Sequence, residues 1–154
     1  MQLRVKYLNP KLPELVSSNE NSGADVRACV EHPITIEHGK VASIPLGIAA
    51  ELVDYPDSVR LGAENDASYE LQIRPRSGHT ARGVITQLGT VDAGYRGEIY
   101  ANVFNTSGQP VTVEPFERIG QLVVCSIYKP EIVTTRELSK TERGGKGFGS
   151  SGRF

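Results

Sequence analysis

No stretch of this chain approaches the roughly 20 consecutive apolar residues of a membrane span, and the amino-terminal MQLRVKYLNP lacks the continuous apolar run of a secretory signal. The expectation is a soluble, cytoplasmic protein (intracellular in the host if the gene is viral) that makes no use of a membrane. An excess of charge of one sign is missing too. With 17 basic and 18 acidic residues the formal net charge is -1, so no global field draws in nucleic acid, and any bound anion has to be held locally. Cys29 and Cys125 are far apart, lack CxxC spacing and each sit in an apolar stretch, which reads as two buried free thiols rather than a disulfide. His32, His38 and His79 have no metal-ligand spacing, and the HxE and PCxxC signature of zinc deaminases is absent. Helical periodicity is scarce, and there is no internal repeat or interior linker.

What the sequence does contain is short β-prone runs punctuated by Gly, Pro, Asn and Asp. Strands are expected over 3–8, 25–30, 34–37, 41–52, 70–74, 97–104, 109–113 and 121–128, with a turn or two of helix near 79–82 and 135–140. Many short strands at this spacing predict an all-β barrel or jelly roll with little helix, and 154 residues suit one domain with one core. Residues 54–70, DYPDSVRLGAENDASYE, are acidic and glycine-containing in the middle, as expected of an exposed excursion.

Five segments carry unusual chemistry. SGADVRA (22–28) places one acid, Asp25, at a strand start. In RPRSGHTARG (74–83), two arginines flank Pro75 ahead of Ser77 and Gly78. A tight turn there offers guanidinium, hydroxyl and backbone donors together, a cradle for an oligophosphate; a surface turn with solvated arginines is the plain alternative. GTVDAGYRGEI (89–99) sets Asp92 and Tyr95 in a glycine-punctuated hairpin. A carboxylate and an aromatic can bind a sugar there, although Asp in a turn is also ordinary. ERIGQL (117–122) holds Arg118 and Gln121 near another strand. Finally, RGGKGFGSSGRF (143–154) packs five glycines and two serines around Phe148 and is too poor in apolar surface to order itself. A disordered end is the plain reading. A lone aromatic between glycines, with Arg143 and Lys146 nearby, is also what a flap needs to stack on a base and lay donors along phosphates. A Walker A loop is excluded, because Gly147 stands where GxxxxGK(S/T) requires Ser or Thr after the Lys.

Together and in order, these segments resemble the five motifs of the trimeric dUTPase family: SGADVRA the first, PRSG the second, GTVDAGYRGEI the third, ERIGQL the fourth and RGGKGFGSSG the fifth. The resemblance runs from about residue 22 to residue 152. It implies a distorted jelly roll or β-barrel of the dUTPase type over residues 1–142, a flexible tail over 143–154 that closes over the active site, and a homotrimer with sites shared between subunits. Asp92 matches the catalytic carboxylate that contacts the 3′-hydroxyl and orients the water attacking the α-phosphorus of dUTP. Tyr95 matches the tyrosine beneath the deoxyribose. Arg76, Ser77 and Gly78 match the phosphate-binding turn, and Gln121 a glutamine on the phosphates or their waters. Phe148 matches the aromatic over uracil, and Arg143, Gly149, Ser150 and Ser151 match tail positions, the arginine and serines engaging the terminal phosphates. Asp25 matches an acid on the water shell of Mg²⁺, a cofactor held mainly by the phosphates.

Uracil presents an O4 acceptor and an N3–H donor, which backbone groups of the third-motif hairpin, Gly89 and Val91 among them, are expected to satisfy. Cytosine reverses both, leaving buried groups unpaired at about 1 to 3 kcal/mol each. The resemblance further implies that thymine is excluded for lack of room for its methyl, and UTP because Tyr95 would occupy the space of the 2′-hydroxyl. Thr86 stands where family members often carry an asparagine that contacts uracil, and is counted with the substrate-binding positions. Lys146 replaces a usual glycine of the fifth motif. The 54–70 connection is longer than is usual in the family. Two rivals are weaker. A dCTP deaminase shares the fold, but its catalytic glutamate matches Asn102 here. A non-enzymatic jelly roll that merely retains a nucleotide pocket has no use for intact Asp92, Tyr95 and Phe148.

Overall fold

The computed structural model describes residues 1–53 and 67–147. Phe148, Gly149, Ser150 and Ser151, and most of the 54–70 excursion, lie outside the described residues. Eleven short antiparallel strands form four small sheets among the described residues. β1 (Gln2–Tyr7) pairs with β5 (Ile48–Val53), and β3 (Ile34–Ile36) with β10 (Val111–Val113). A four-stranded sheet runs β2 (Ala24–Arg27), β11 (Arg118–Tyr128), β6 (Ala67–Arg74), β8 (Gly89–Val91). A three-stranded sheet runs β4 (Val41–Pro45), β9 (Tyr100–Asn105), β7 (Val84–Thr86). The arrangement is all-β and of jelly-roll type. Among the described residues the one helical turn, α1 (Ser77–Thr80), falls close to where the first short helix is expected.

Alternation explains the core. In β9 the side chains of Ala101, Val103 and Asn105 point inward and those of Tyr100, Asn102 and Phe104 outward, as a period of two requires. The inward sets of the strands meet in one cluster that includes Val26, Ile44, Leu46, Ile48, Ile73 and Ile119. Asn105, a fully buried polar residue of β9, is fully engaged. Its Nδ2 donates to Ile36 O and Gln109 O at 2.8 and 2.6 Å, and its Oδ1 accepts from Ser107 N and Oγ at 2.9 and 2.7 Å. A buried amide so paired costs little to bury.

The structure differs from the sequence expectations in four places. The single strand expected over 41–52 breaks at Leu46–Gly47, because Gly47 has φ of +64° and any side chain there collides with Cys29. The break is used: Leu46 N donates to Ile99 O, Gly47 N to the Glu98 carboxylate, and Ile99 N to Ile48 O, tying this strand to the stem of the 89–99 hairpin. β7 and β8, three residues each, carry no periodicity signal long enough to read. No helix forms over 135–140; residues 129–142 are exposed, with Ile132, Val133 and Leu138 facing outward. Cys29 and Cys125 are free, as expected, but only half-buried. No helix of the described residues is long and apolar enough to cross a membrane.

Candidate active site

Two concave regions collect the motif residues. The first, about 410 Å³, is lined by Asp25, Arg76, Arg118 and Gln121 together with Glu14 and Arg27. Strand register builds it: Gln121 of β11 sits opposite Asp25 of β2 on one side and Arg74 of β6 on the other, so segments far apart in sequence share one edge. β6 then ends in Pro75, and the chain turns into α1 with Arg76 extended at its N-cap (φ -94°, ψ 133°). Arg76 Nε lies 3.3 Å from Asp25 Oδ1 and Arg118 Nη1 3.2 Å from Asp25 Oδ2. Arg76 Nη1 donates to Arg118 O at 3.1 Å. Two guanidinium groups thus share one half-buried carboxylate, leaving an excess of positive charge. Ser77 and Gly78 at the start of α1 are exposed, and a Cβ on Gly78 would meet nothing. Their backbone is open to an incoming anion.

The second region, about 270 Å³, lies against the hairpin and is lined by Gly89, Val91, Asp92, Tyr95, Glu98 and Asn102 among others. β8 pairs with β6 through Ile73 and Gly89, and a Cβ on Gly89 would point into open space, so a planar ligand can approach this backbone closely. The chain turns at Asp92, with Tyr95 N donating to Asp92 O at 2.9 Å. The Tyr95 ring folds back over Gly97, where any side chain would collide with it, and its hydroxyl donates to Glu98 O at 2.8 Å. The exposed Asp92 carboxylate accepts no hydrogen bond among the described residues, so its lone pairs are available to a hydroxyl and a water. Tyr100 donates to Glu98 Oε2 at 3.2 Å; that bond, with the carboxylate's charge, raises the Tyr100 pKa.

Thr86 is placed elsewhere. It is buried in β7 and gives its hydroxyl proton to Ile119 O, outside the lining of either region. Arg143 is exposed, with Nε 3.3 Å from Lys146 O, and it too lines neither region of its own chain. Arg118 is the contributor the motif reading underrates, because its partner Asp25 is 93 residues away in sequence. Glu98 enters the hairpin region from the end of the same motif, and Asn102 from the strand that follows it.

Next to the phosphate-type turn lies a buried histidine. His79 is 6% exposed, with Nε2 3.2 Å from Glu117 Oε1 and Nδ1 without a partner among the described residues. Burial lowers its pKa below 6.5, opposed by Glu117 and assisted by Arg82 and Arg76. The folded state therefore binds fewer protons than the unfolded chain as pH falls through about 6.5, so this contribution to stability is present above that value and lost below it. The unfolding midpoint is expected to drop between about pH 7.5 and pH 5, and to drop less in His79→Leu. Parallel pH profiles for the two proteins would show that His79 has no part in it.

Comparison with known proteins decides the relationship. The sequence model of the dUTPase family matches residues 15–152. The chain belongs to the dUTPase family. It is 42% identical over 144 residues to a deoxyuridine 5′-triphosphate nucleotidohydrolase of Caldanaerobacter subterraneus, covering 92% of this chain and 88% of that one. The corresponding protein of Fusobacterium nucleatum is 36% identical over 157 residues, with 99% of each chain covered. Among solved structures, the dUTPase of Staphylococcus bacteriophage 80alpha, crystallised with dUPNHPP, superposes with a TM-score of 0.75 at 24% identity over 98% of both chains. A variant dUTPase of phage phi11 of S. aureus, described as coordinating a structural Mg(II) ion, gives 0.69 at 18% identity over 89% of this chain and 98% of that one. At these identities the two phage structures speak for the dUTPase fold alone.

Proposed function

We infer that this chain is a dUTP diphosphatase, hydrolysing dUTP to dUMP and pyrophosphate by attack of water at the α-phosphorus. It thereby limits uracil incorporation into DNA and supplies dUMP from the cytoplasmic nucleotide pool, or that of a host cell. The observation that carries this reading is the hairpin region, where an unengaged Asp92 carboxylate, the Tyr95 ring and the open backbone at Gly89 line one concavity. Uracil fits against Gly89 and Val91, deoxyribose over Tyr95, and Asp92 contacts the 3′-hydroxyl and orients water as general base. Such a base is worth about 10² to 10⁴ in rate. Arg76, Ser77, Gly78 and Gln121 take the phosphates, with Arg118 beside them. In-line transfer to water consists mostly of this positioning and charge stabilisation.

The cofactor is Mg²⁺. Mg²⁺ is characteristically held by one or two carboxylates together with substrate phosphates and water. Asp25 would hold part of its water shell, since a carboxylate has about four lone-pair sites and two guanidinium groups occupy only some of them. When bound, the ion neutralises charge on the departing pyrophosphate.

The enzyme works as a homotrimer with shared sites. Three features support this: the exposed 129–142 arm with its outward Ile132, Val133 and Leu138; the outer face of the three-stranded sheet with Val41, Tyr100 and Phe104 exposed; and the absence of residues 143–147 from either concavity of their own chain. Arg143, Phe148, Gly149, Ser150 and Ser151 then reach a neighbour's site. Pyrophosphate release with Mg²⁺ should be rapid for dUTP and slower by at least about 10² for dCTP, dTTP and UTP. Comparable turnover of dCTP, or ammonia released from it, would reject the assignment.

A further inference from the structure

The turn that carries Asp92 and Tyr95 is exposed at every position from Asp92 to Gly97. Its stem is anchored at Ile99 by backbone, through Leu46 N and Ile48 O, and at Glu98 by its carboxylate, which accepts from Gly47 N. Tyr95 ties the tip to its own stem through Glu98 O, and Arg96 ties it to a neighbouring strand. Arg96 donates through Nη1 to Ala93 O at 2.8 Å and to Tyr95 O at 2.9 Å, and its Nε lies 3.2 Å from Glu51 Oε2 on β5. Glu51 is in register with Arg4 of β1, whose Nη1 is 3.6 Å from Oε1.

We propose that Glu51 and Arg96 are a positioning pair for the hydrolysis, Glu51 acting through Arg96 to fix the turn on which Asp92 and Tyr95 ride. The proposal rests on the reading of Asp92 as the group that orients the attacking water. A guanidinium is planar, so engaging two carbonyls with one nitrogen sets the plane in which Nε meets Glu51; an ammonium has no such fork. The side chains of Arg96 and Glu51 are 54% and 32% exposed, and an ion pair that open to solvent adds little to global stability. Position is another matter, since a misplacement of about 1 Å at a reacting group costs as much as about 10² in rate. The pair is therefore expected to act on turnover and not on folding.

The test measures kcat, KM and the unfolding midpoint of the full chain for Arg96→Met, Arg96→Lys, Glu51→Gln, the double variant Glu51→Gln/Arg96→Met, and Arg4→Met. Arg96→Met should lower kcat about 10- to 30-fold and Glu51→Gln about three- to tenfold, with KM within about threefold of the parent. Midpoints should stay within about 2 °C of the parent. Arg96→Lys should recover little of the loss. The double variant should be no slower than Arg96→Met, because Glu51 works through Arg96. Arg4→Met touches Glu51 but not the turn and should keep the parent kcat. Parental kcat in Arg96→Met and Glu51→Gln, losses that multiply in the double variant, or losses that follow the unfolding midpoint each overturn the pair. Asp92→Asn run alongside separates two failures. If it is inactive while Arg96→Met and Glu51→Gln are fully active, only the positioning pair falls; if it is itself active, the reading of Asp92 falls and the pair with it.

Discussion

Asp92→Asn is expected to lower kcat for dUTP by at least about 10² while the affinity for a non-hydrolysable dUTP analogue changes far less. The substitution keeps the shape of the side chain and an oxygen for the 3′-hydroxyl but removes the charge that draws a proton from water. Asp92 is exposed in a turn held by the Tyr95 N–H on its backbone oxygen, a bond asparagine leaves intact, so folding should be unaffected. Steady-state turnover and calorimetric binding of the analogue together decide it. Near-normal turnover would reduce Asp92 to an ordinary turn residue, and loss of binding in proportion to turnover would make it a binding group without a chemical role.

Removal of residues 143–154 is expected to leave a folded trimer with almost no activity. This segment is too polar and glycine-rich to support a core, and its described residues, 143–147, are exposed. Sharing of sites then makes a sharper prediction. A tail-deleted chain with Asp92 intact, and a full-length Asp92→Asn chain, should each be nearly inactive as homotrimers. Unfolded together and reassembled, any mixed ring contains one junction where an intact Asp92 meets an intact tail from its neighbour. Activity should therefore rise to roughly a third of the parent per mixed trimer, provided heterologous interfaces close the ring. Native mass spectrometry confirms the mixing. Activity that stays at the level of the separate variants would mean that each site is built within one chain.

Local chemistry was legible in the sequence, and long-range register was not. The Arg-Pro-Arg-Ser-Gly turn, the glycine-punctuated hairpin and the all-β character follow from residue types within a few positions of one another. The meeting of Asp25 with Arg76 and Arg118 depends on β11 lying between β2 and β6, a pairing of strands far apart in sequence that alternation alone cannot specify. Thr86 was named from its match to a family position, which carries no strand parity: in β7 the buried positions are Val84 and Thr86, and the hydroxyl turns inward to Ile119 O. Gly47 hides inside an apolar run and reads as strand until its positive φ and the closeness of Cys29 are seen. TTRELSK has helical composition, yet residues 135–140 are exposed among the described residues, and a short helix does not stand on propensity alone. Arg96 carries no signal of its own in the sequence, because its partner Glu51 lies on β5, far from the turn along the chain.

The claim at the centre of this account is that water attacks the α-phosphorus of dUTP at the Asp92 hairpin. Single-turnover hydrolysis with Mg²⁺ in H₂¹⁸O, followed by mass spectrometry of both products, tests it most directly. The account predicts one heavy oxygen in dUMP and none in pyrophosphate, with the reaction slowed by at least about 10² in Asp92→Asn. Heavy oxygen in pyrophosphate instead, or unlabelled dUMP, would place the attack at another phosphorus and contradict it.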